Sequence, residues 1–310
     1  MKDFWRKLIT GREKLVISYC AGLSRRIANK IYMMKYRNPK KAERSMTRIY
    51  GKEDTASKTL ASNLVAALTR DASREEAAWV ENIESLRKEL SDSPSKITIV
   101  DYGAGQKCLN PDSGPEEMGR EKVVTKTIGD TCQTVCKRVL LLFRLVREFR
   151  PSLCLELGTG LGISAAYQTA ALELNGHGRL VTVEGAENLA SLARENFKRL
   201  GLNRVGVVVG RFQDKLDGLL REYAPVDFAF IDGHHYERAT LSYFEKVLPF
   251  LSEGGLLVFD NIIWSKGMMR AWRKIASDRR IGLSIDLVKI GICVKANFLR
   301  YKRHFNINPD

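Results

Sequence analysis

The chain has 310 residues, 44% of them hydrophobic and 28% charged, with a formal net charge of +15. That apolar fraction is ample for a packed core, which argues against wholesale disorder, and the length suits one domain of ~100–200 residues with a substantial extension, or two domains. No apolar run reaches the ~18 residues that a membrane-spanning helix needs, and six cysteines without a CxxC pair argue against a disulfide scaffold or zinc site and for a reducing, cytoplasmic compartment.

Residues 1–50 hold 14 Lys/Arg against 3 Asp/Glu, and residues 261–310 hold 11 against 3, so both ends are basic and the middle is slightly acidic. Basic ends point to a membrane surface, an anionic polymer or an acidic partner rather than to a basic active site. From Leu15 an apolar ladder of Tyr19, Leu23, Ile27 and Ile31 recurs every fourth residue among Arg25, Arg26, Lys30 and Lys35. The spacing predicts a basic amphipathic helix. An export signal fits less well, because the apolar stretch is short, contains Ser18 and Tyr19, and follows Glu13. Such a helix lies on the inner face of an anionic membrane, packs on the rest of the chain or on a second subunit in a homo-oligomer, or meets a nucleic acid.

A second helical stretch is predicted over 56–90, where Trp79, Ile83, Leu86 and Leu90 repeat. Ser91–Ser95 breaks the pattern, so residues 1–95 form a basic helical region. Residues 96–130 follow as an edge strand and a mobile loop. Asp101-Tyr102-Gly103-Ala104-Gly105 runs into a polar stretch with Pro111 and Pro115, which suits a loop closing over a site. From 131 to 310 helices alternate with short β-rich runs at 153–157, 179–184, 204–209, 226–231 and 255–260, and with a hairpin over 281–296. That alternation predicts a doubly wound, mostly parallel α/β sheet with helices on both faces.

The run at 153–157 leads into Glu156-Leu157-Gly158-Thr159-Gly160-Leu161-Gly162 and then a helix. Glycines there bring backbone N–H groups close to a ligand at the helix N-terminus. Glu184 ends the next strand, where a carboxylate can accept both hydroxyls of a ribose. A nicotinamide or flavin site would read GxGxxG, whereas this spacing is GxGxG after an acid. Glu156 would repel a pyrophosphate but could hold an ammonium group, which favours S-adenosylmethionine.

On these residues, with Gly210-Arg211-Phe212-Gln213-Asp214 and Ile231-Asp232-Gly233 in the same order and spacing, the stretch from about 152 to 277 resembles the class I S-adenosylmethionine-dependent methyltransferases. It is most similar to metal-assisted O-methyltransferases of the catechol and macrolide-sugar types. Asp101–Gly105 and Phe259-Asp260-Asn261-Ile262-Ile263-Trp264-Ser265 resemble a bacterial group of undefined substrate. The resemblance implies a Rossmann-like seven-stranded sheet in the order 3-2-1-4-5-7-6. It also implies a cofactor held by Glu156, Gly158, Gly160, Gly162, Glu184 and Asp232, with Phe212 and Gln213 at the adenine.

Strands four and five of that order end in Asp232-Gly233-His234-His235 and Asp260-Asn261. Asp232, Asp260 and Asn261 offer oxygen donors of the hardness that magnesium prefers, and the matching positions hold metal in catechol O-methyltransferase. The alternative is that Asp260 and Asn261 cap the following helix. Catechol O-methyltransferase places a lysine three residues after its strand-four aspartate. Here that position is His235, a competent base near neutrality, with Asp232 as the rival. The expectation is O-methylation of a small-molecule, sugar or glycan hydroxyl, assisted by magnesium. The alternatives are ribose methylation of a nucleic acid and a non-catalytic, membrane-associated cofactor-binding protein. Base methylation is disfavoured, because neither a Pro-Pro-aromatic motif nor a cysteine follows Asp232.

Overall fold

The computed structural model describes residues 55–102, 122–132, 136–297 and 303–306. The strands β3 (Leu153–Leu157), β4 (Arg179–Glu184), β5 (Val205–Val209), β6 (Val226–Ile231), β7 (Leu251–Phe259), β8 (Leu283–Leu287) and β9 (Ile290–Val294) form one sheet. Their order is β5-β4-β3-β6-β7-β9-β8, and only β9 runs antiparallel to the rest. This is the expected 3-2-1-4-5-7-6 arrangement. A further strand, β10 (Arg303–Asn306), pairs in parallel with β8 on its outer side.

The central strands read as continuous apolar runs because helices cover both faces. Successive residues serve opposite faces. Cys154, Phe228, Phe230 and Val258 enter one core with α4 (Cys136–Phe149), α5 (Ile163–Asn175) and α6 (Glu187–Arg199). Leu155, Leu157, Ala229, Ile231 and Leu257 enter the other with α7 (Phe212–Tyr223), α8 (Glu237–Val247) and α9 (Lys266–Ser277).

The single helical stretch expected over 56–90 is two helices, α1 (Thr55–Thr69) and α2 (Arg74–Asp92). The break comes from a capping box: Ser73 Oγ accepts from Glu76 N–H, and the Glu76 carboxylate accepts from Ser73 N–H. Leu60 and Leu64 of α1 and Ile83 and Leu86 of α2 share one core with Leu141 and Leu145 of α4. Beneath them Glu76, with 2% of its side chain exposed, pairs with Arg70 (2.7 Å) and with Arg147 of α4 (2.9 Å).

Residues 96–101, expected as an edge strand, form β1 (Lys96–Asp101) of a separate antiparallel ribbon with β2 (Lys122–Thr127). Its anchor is a hydrogen bond from Asn188 Nδ2 of α6 to the Thr98 carbonyl (2.6 Å). A short helix, α3 (Ile128–Thr131), leads back toward α4. The loop expected after Asp101 and the basic helix expected from Leu15 lie outside the described residues. Among the described residues no helix is long and apolar enough to cross a membrane.

Burial alone would raise the Glu76 carboxyl, but hydrogen bonds from Arg70, the Ser73 backbone and Arg147 hold it down to about 2. A folded-state value below the unfolded one stabilises the fold fully above the ordinary carboxylate range, and that contribution is lost as pH falls toward about 2. Glu76→Gln is therefore expected to destabilise the protein by about 3 kcal/mol at pH 7. It should also flatten the fall in stability between pH 4.5 and 2. Urea melts across that range check both.

Candidate active site

β3 is the strand from which the sheet grows in both directions, toward β4 on one side and β6 on the other. In open α/β sheets ligands bind at the carboxyl ends of the strands beside such a switch point. The loop after β3 carries Gly158, Gly160 and Gly162 at φ of 108°, 53° and 82°, which L side chains rarely adopt. Their surroundings differ. A Cβ on Gly158 would stand 2.2 Å from the Asp232 carbonyl oxygen, and one on Gly162 would stand 2.7 Å from the Phe197 ring. A Cβ on Gly160 would meet nothing within 4 Å beyond its chain neighbours. Packing thus requires two of the glycines, while the third borders open space of the kind a ligand can fill.

Glu184 spans this loop: its carboxylate accepts from Gly160 N–H (2.8 Å) and Ala186 N–H (2.9 Å). Burial raises its pKa against those hydrogen bonds. Glu156, expected to meet a ligand's ammonium group, is fully buried instead. It accepts from Thr182 Oγ1 (2.6 Å) and Gln168 Nε2 (2.9 Å). Desolvation carries its carboxyl up to about 7. Glu156 therefore ties β3 to β4 and α5 and does not face the crevice.

The opposite wall is built at the ends of β6 and β7. His234, His235 and Asn261 have φ of 61°, 26° and 56°; such conformations cost about 1–3 kcal/mol each and cluster at functional sites. His234 Nε2 lies 2.9 Å from the Tyr102 carbonyl, and Nδ1 lies 2.5 Å from the Tyr243 hydroxyl. A carbonyl can only accept, so Nε2 carries the proton and Nδ1 accepts from Tyr243. The Tyr102 ring also covers Gly185, whose Cβ would stand 2.6 Å from it. Tyr102 thus lies over the loop that follows Glu184. Phe212 packs edge-on against His234 (5.4 Å) and Tyr243 (5.8 Å), with Gln213 exposed beside it.

His235 Nε2 lies 3.6 Å from Asp232 Oδ1 and 3.4 Å from Asn261 Nδ2. Burial moves its pKa below the ordinary imidazole value, the charge of Asp260 opposing this and those of Arg138 and His234 adding to it. Withdrawal from water and the neighbouring Asp260 raise the Asp232 carboxyl well above the usual range. Asp260 itself is 5% exposed and takes the guanidinium of Arg138. Arg138 Nη1 donates to both Asp260 oxygens (2.7 and 2.5 Å) and to Asn261 Oδ1 (3.2 Å). Asp260 and Asn261 do not cap α9, whose N-cap is Ser265, accepting from Met268 N–H. Trp264 (51% exposed) and Ile263 (44%) stand at the rim, the Trp264 ring 6.2 Å from that of His235.

The three oxygen donors expected to hold magnesium, Asp232, Asp260 and Asn261, do come together. As arranged they do not fit a divalent ion, because Arg138 already occupies the oxygens of two of them. Among the described residues no group of three or more His, Cys, Asp or Glu side chains is set to hold a metal. Sequence reasoning missed Arg138 and Tyr243. Arg138 stands 122 residues before Asp260, and no local spacing links them.

A family model described as a methyltransferase domain matches residues 155–262. A catechol O-methyltransferase of Niastella koreensis is 38% identical over 111 residues, which are 35% of this chain and 48% of that protein. The Bos taurus catechol O-methyltransferase is 34% identical over 140 residues, 41% of this chain and 47% of that protein. That of Sus scrofa is 35% identical over 132 residues, 41% of this chain and 69% of that protein. The chain spans about half the length of the first two relatives.

The difference between the glycines is testable. Gly158→Ala drives a methyl group into the Asp232 backbone and is expected to cost more than 3 kcal/mol. Gly160→Ala places its Cβ in open space and pays only left-handed strain of about 1–2 kcal/mol, so it should fold. It should lose S-adenosylmethionine binding at least ~10-fold. Thermal melts and calorimetry on both variants read the two effects separately.

Proposed function

Because the chain belongs to the class I S-adenosylmethionine-dependent O-methyltransferases, we propose that it transfers a methyl group to a hydroxyl of a small-molecule, sugar or glycan acceptor. One observation carries this reading: the glycine loop after β3, with open space at Gly160, adjoins the end of β6, where Asp232 and His235 stand. When bound, S-adenosylmethionine supplies a methyl group activated by its sulfonium charge. Glu184 is set to accept the ribose hydroxyls, and Gly160 lets the backbone close on the ligand. With Glu156 buried, Asp232 is the carboxyl left to meet the ammonium group. A cation arriving beside it would restore its ionised form.

His235 is the group we assign to take the acceptor's proton. Burial keeps its imidazole neutral at pH 7, the form that a base requires. Asn261 and Asp232 limit the directions in which its ring can turn. The exposed Trp264 offers a flat apolar face beside it, on which a phenolic or sugar ring can rest. Similarity to enzymes named catechol O-methyltransferase supports a hydroxyl acceptor. No step is assigned to a metal ion, since Arg138 holds the oxygens that one would need.

The test is incubation of the full chain with labelled S-adenosylmethionine and heat-treated cell extract, with mass spectrometry of methylated products. A labelled ether is the expected product; labelled nucleic acid alone would overturn the acceptor class. His235→Ala should lower kcat by ~10²–10⁴-fold and leave the affinity for S-adenosylmethionine unchanged. Equal activity in wild type and variant would remove His235 as the base.

A further inference from the structure

Arg138 sits in the first turn of α4, far from β7 in sequence, yet its guanidinium reaches the end of that strand. Its Nη1 is the single donor to three oxygen atoms: both of Asp260 and the side-chain oxygen of Asn261. Asp260 is 5% exposed and Arg138 is 22% exposed, so the pair is largely shielded from water. A carboxylate so placed needs a cation or a dense set of hydrogen bonds. Asp232, the third oxygen donor of the cluster, stands beside it.

A divalent ion would have to bind these same oxygens at ~2.0–2.1 Å in near-octahedral geometry. It cannot do so while Nη1 stands at hydrogen-bond distance from three of them, because the two cations would repel at contact. Resting on the methyltransferase reading above, we propose that Arg138 is the resident cation of the acceptor site. Its guanidinium takes the place of a divalent metal, fixes Asp260 and Asn261 at the crevice floor, and leaves proton removal to His235. Arg138 is a positioning residue in this scheme. A guanidinium is charged at every working pH and donates in a fixed plane, so the site would be set before any ligand arrives. The presence of a histidine base three residues after Asp232 fits such a site. A single positive charge, already shared with Asp260, acidifies an acceptor hydroxyl less than a divalent ion does, so a separate proton acceptor has more to do.

The experiment is a titration of the full-length protein with Mn²⁺, followed by the electron paramagnetic resonance of the free ion, with and without S-adenosylmethionine. Wild type is expected to leave the free-ion signal undiminished at millimolar metal, and EDTA is expected to leave labelled-methyl transfer in the extract assay unchanged. Arg138→Ala frees the three oxygens and should bind Mn²⁺, and adding Asp260→Asn should abolish that binding. The same variant should lose ~10²-fold or more in kcat, with S-adenosylmethionine affinity retained. Arg138→Lys, which keeps the charge, should recover part of the rate and exclude Mn²⁺. Wild-type binding of Mn²⁺ that Asp260→Asn removes, or transfer abolished by EDTA and restored by Mg²⁺, would overturn the proposal. Calorimetry with S-adenosylmethionine separates the two readings. A chain that binds none fails as a methyltransferase, while the Mn²⁺ titration still decides what cation the site takes.

Discussion

A carboxylate taken out of water is tolerated only where hydrogen bonds or a cation replace its hydration, and this structure is organised around several such groups. Glu76 joins α1, α2 and α4 by accepting from the Ser73 backbone, Arg70 and Arg147. Glu156 ties β3 to β4 and α5 through Thr182 and Gln168. Glu184 holds the glycine loop by its backbone N–H, and Asp260 draws Arg138 of α4 across to the end of β7. Each link joins segments that apolar packing alone would leave free to slide. The acids therefore set the relative placement of the helices and strand ends that form the crevice.

The same logic divides labour among similar residues. Of the three loop glycines, Gly158 and Gly162 permit close packing against Asp232 and Phe197, and Gly160 leaves room. Of the two adjacent histidines, His234 has both ring nitrogens engaged, by Tyr102 and Tyr243, while His235 makes only long contacts to Asp232 and Asn261. The first is a strut between the ribbon and α8, and the second is the imidazole proposed above as the base. Both stand in left-handed conformations, so β6 ends in a sharp turn that presents two successive side chains to different walls.

α4 has a dual part in this arrangement. Its apolar face, including Leu141, Leu142 and Leu145, lies in the core beneath α1 and α2. Its ends carry the arginines that neutralise Asp260 and Glu76. One helix thereby both seats α1 and α2 and carries the arginine that meets Asp260 at the end of β7.

The alternation of apolar runs and amphipathic helices, the glycine loop and Glu184 were legible in the sequence because each is a local pattern. Period-2 and period-3.6 repeats report burial directly, and the parallel sheet followed from them. The strand-end residues Asp232, His235, Asp260 and Asn261 were legible as a group once strand order was assumed. What local pattern could not show was which partner each polar group would find. Glu156 looked like a ligand residue by position, yet it lies wholly inside because its side chain points toward Thr182 and Gln168. β1 read as an edge strand, but its pairing with β2 across the intervening loop had no local signal. Arg138 carried no signal at all, since its meeting with Asp260 depends on where α4 lies over the sheet. Sequence determined the elements and the chemical inventory of the crevice. Tertiary structure alone decided the pairing of its charges, because a buried charge is satisfied by whatever the fold brings near and not by its neighbours along the chain.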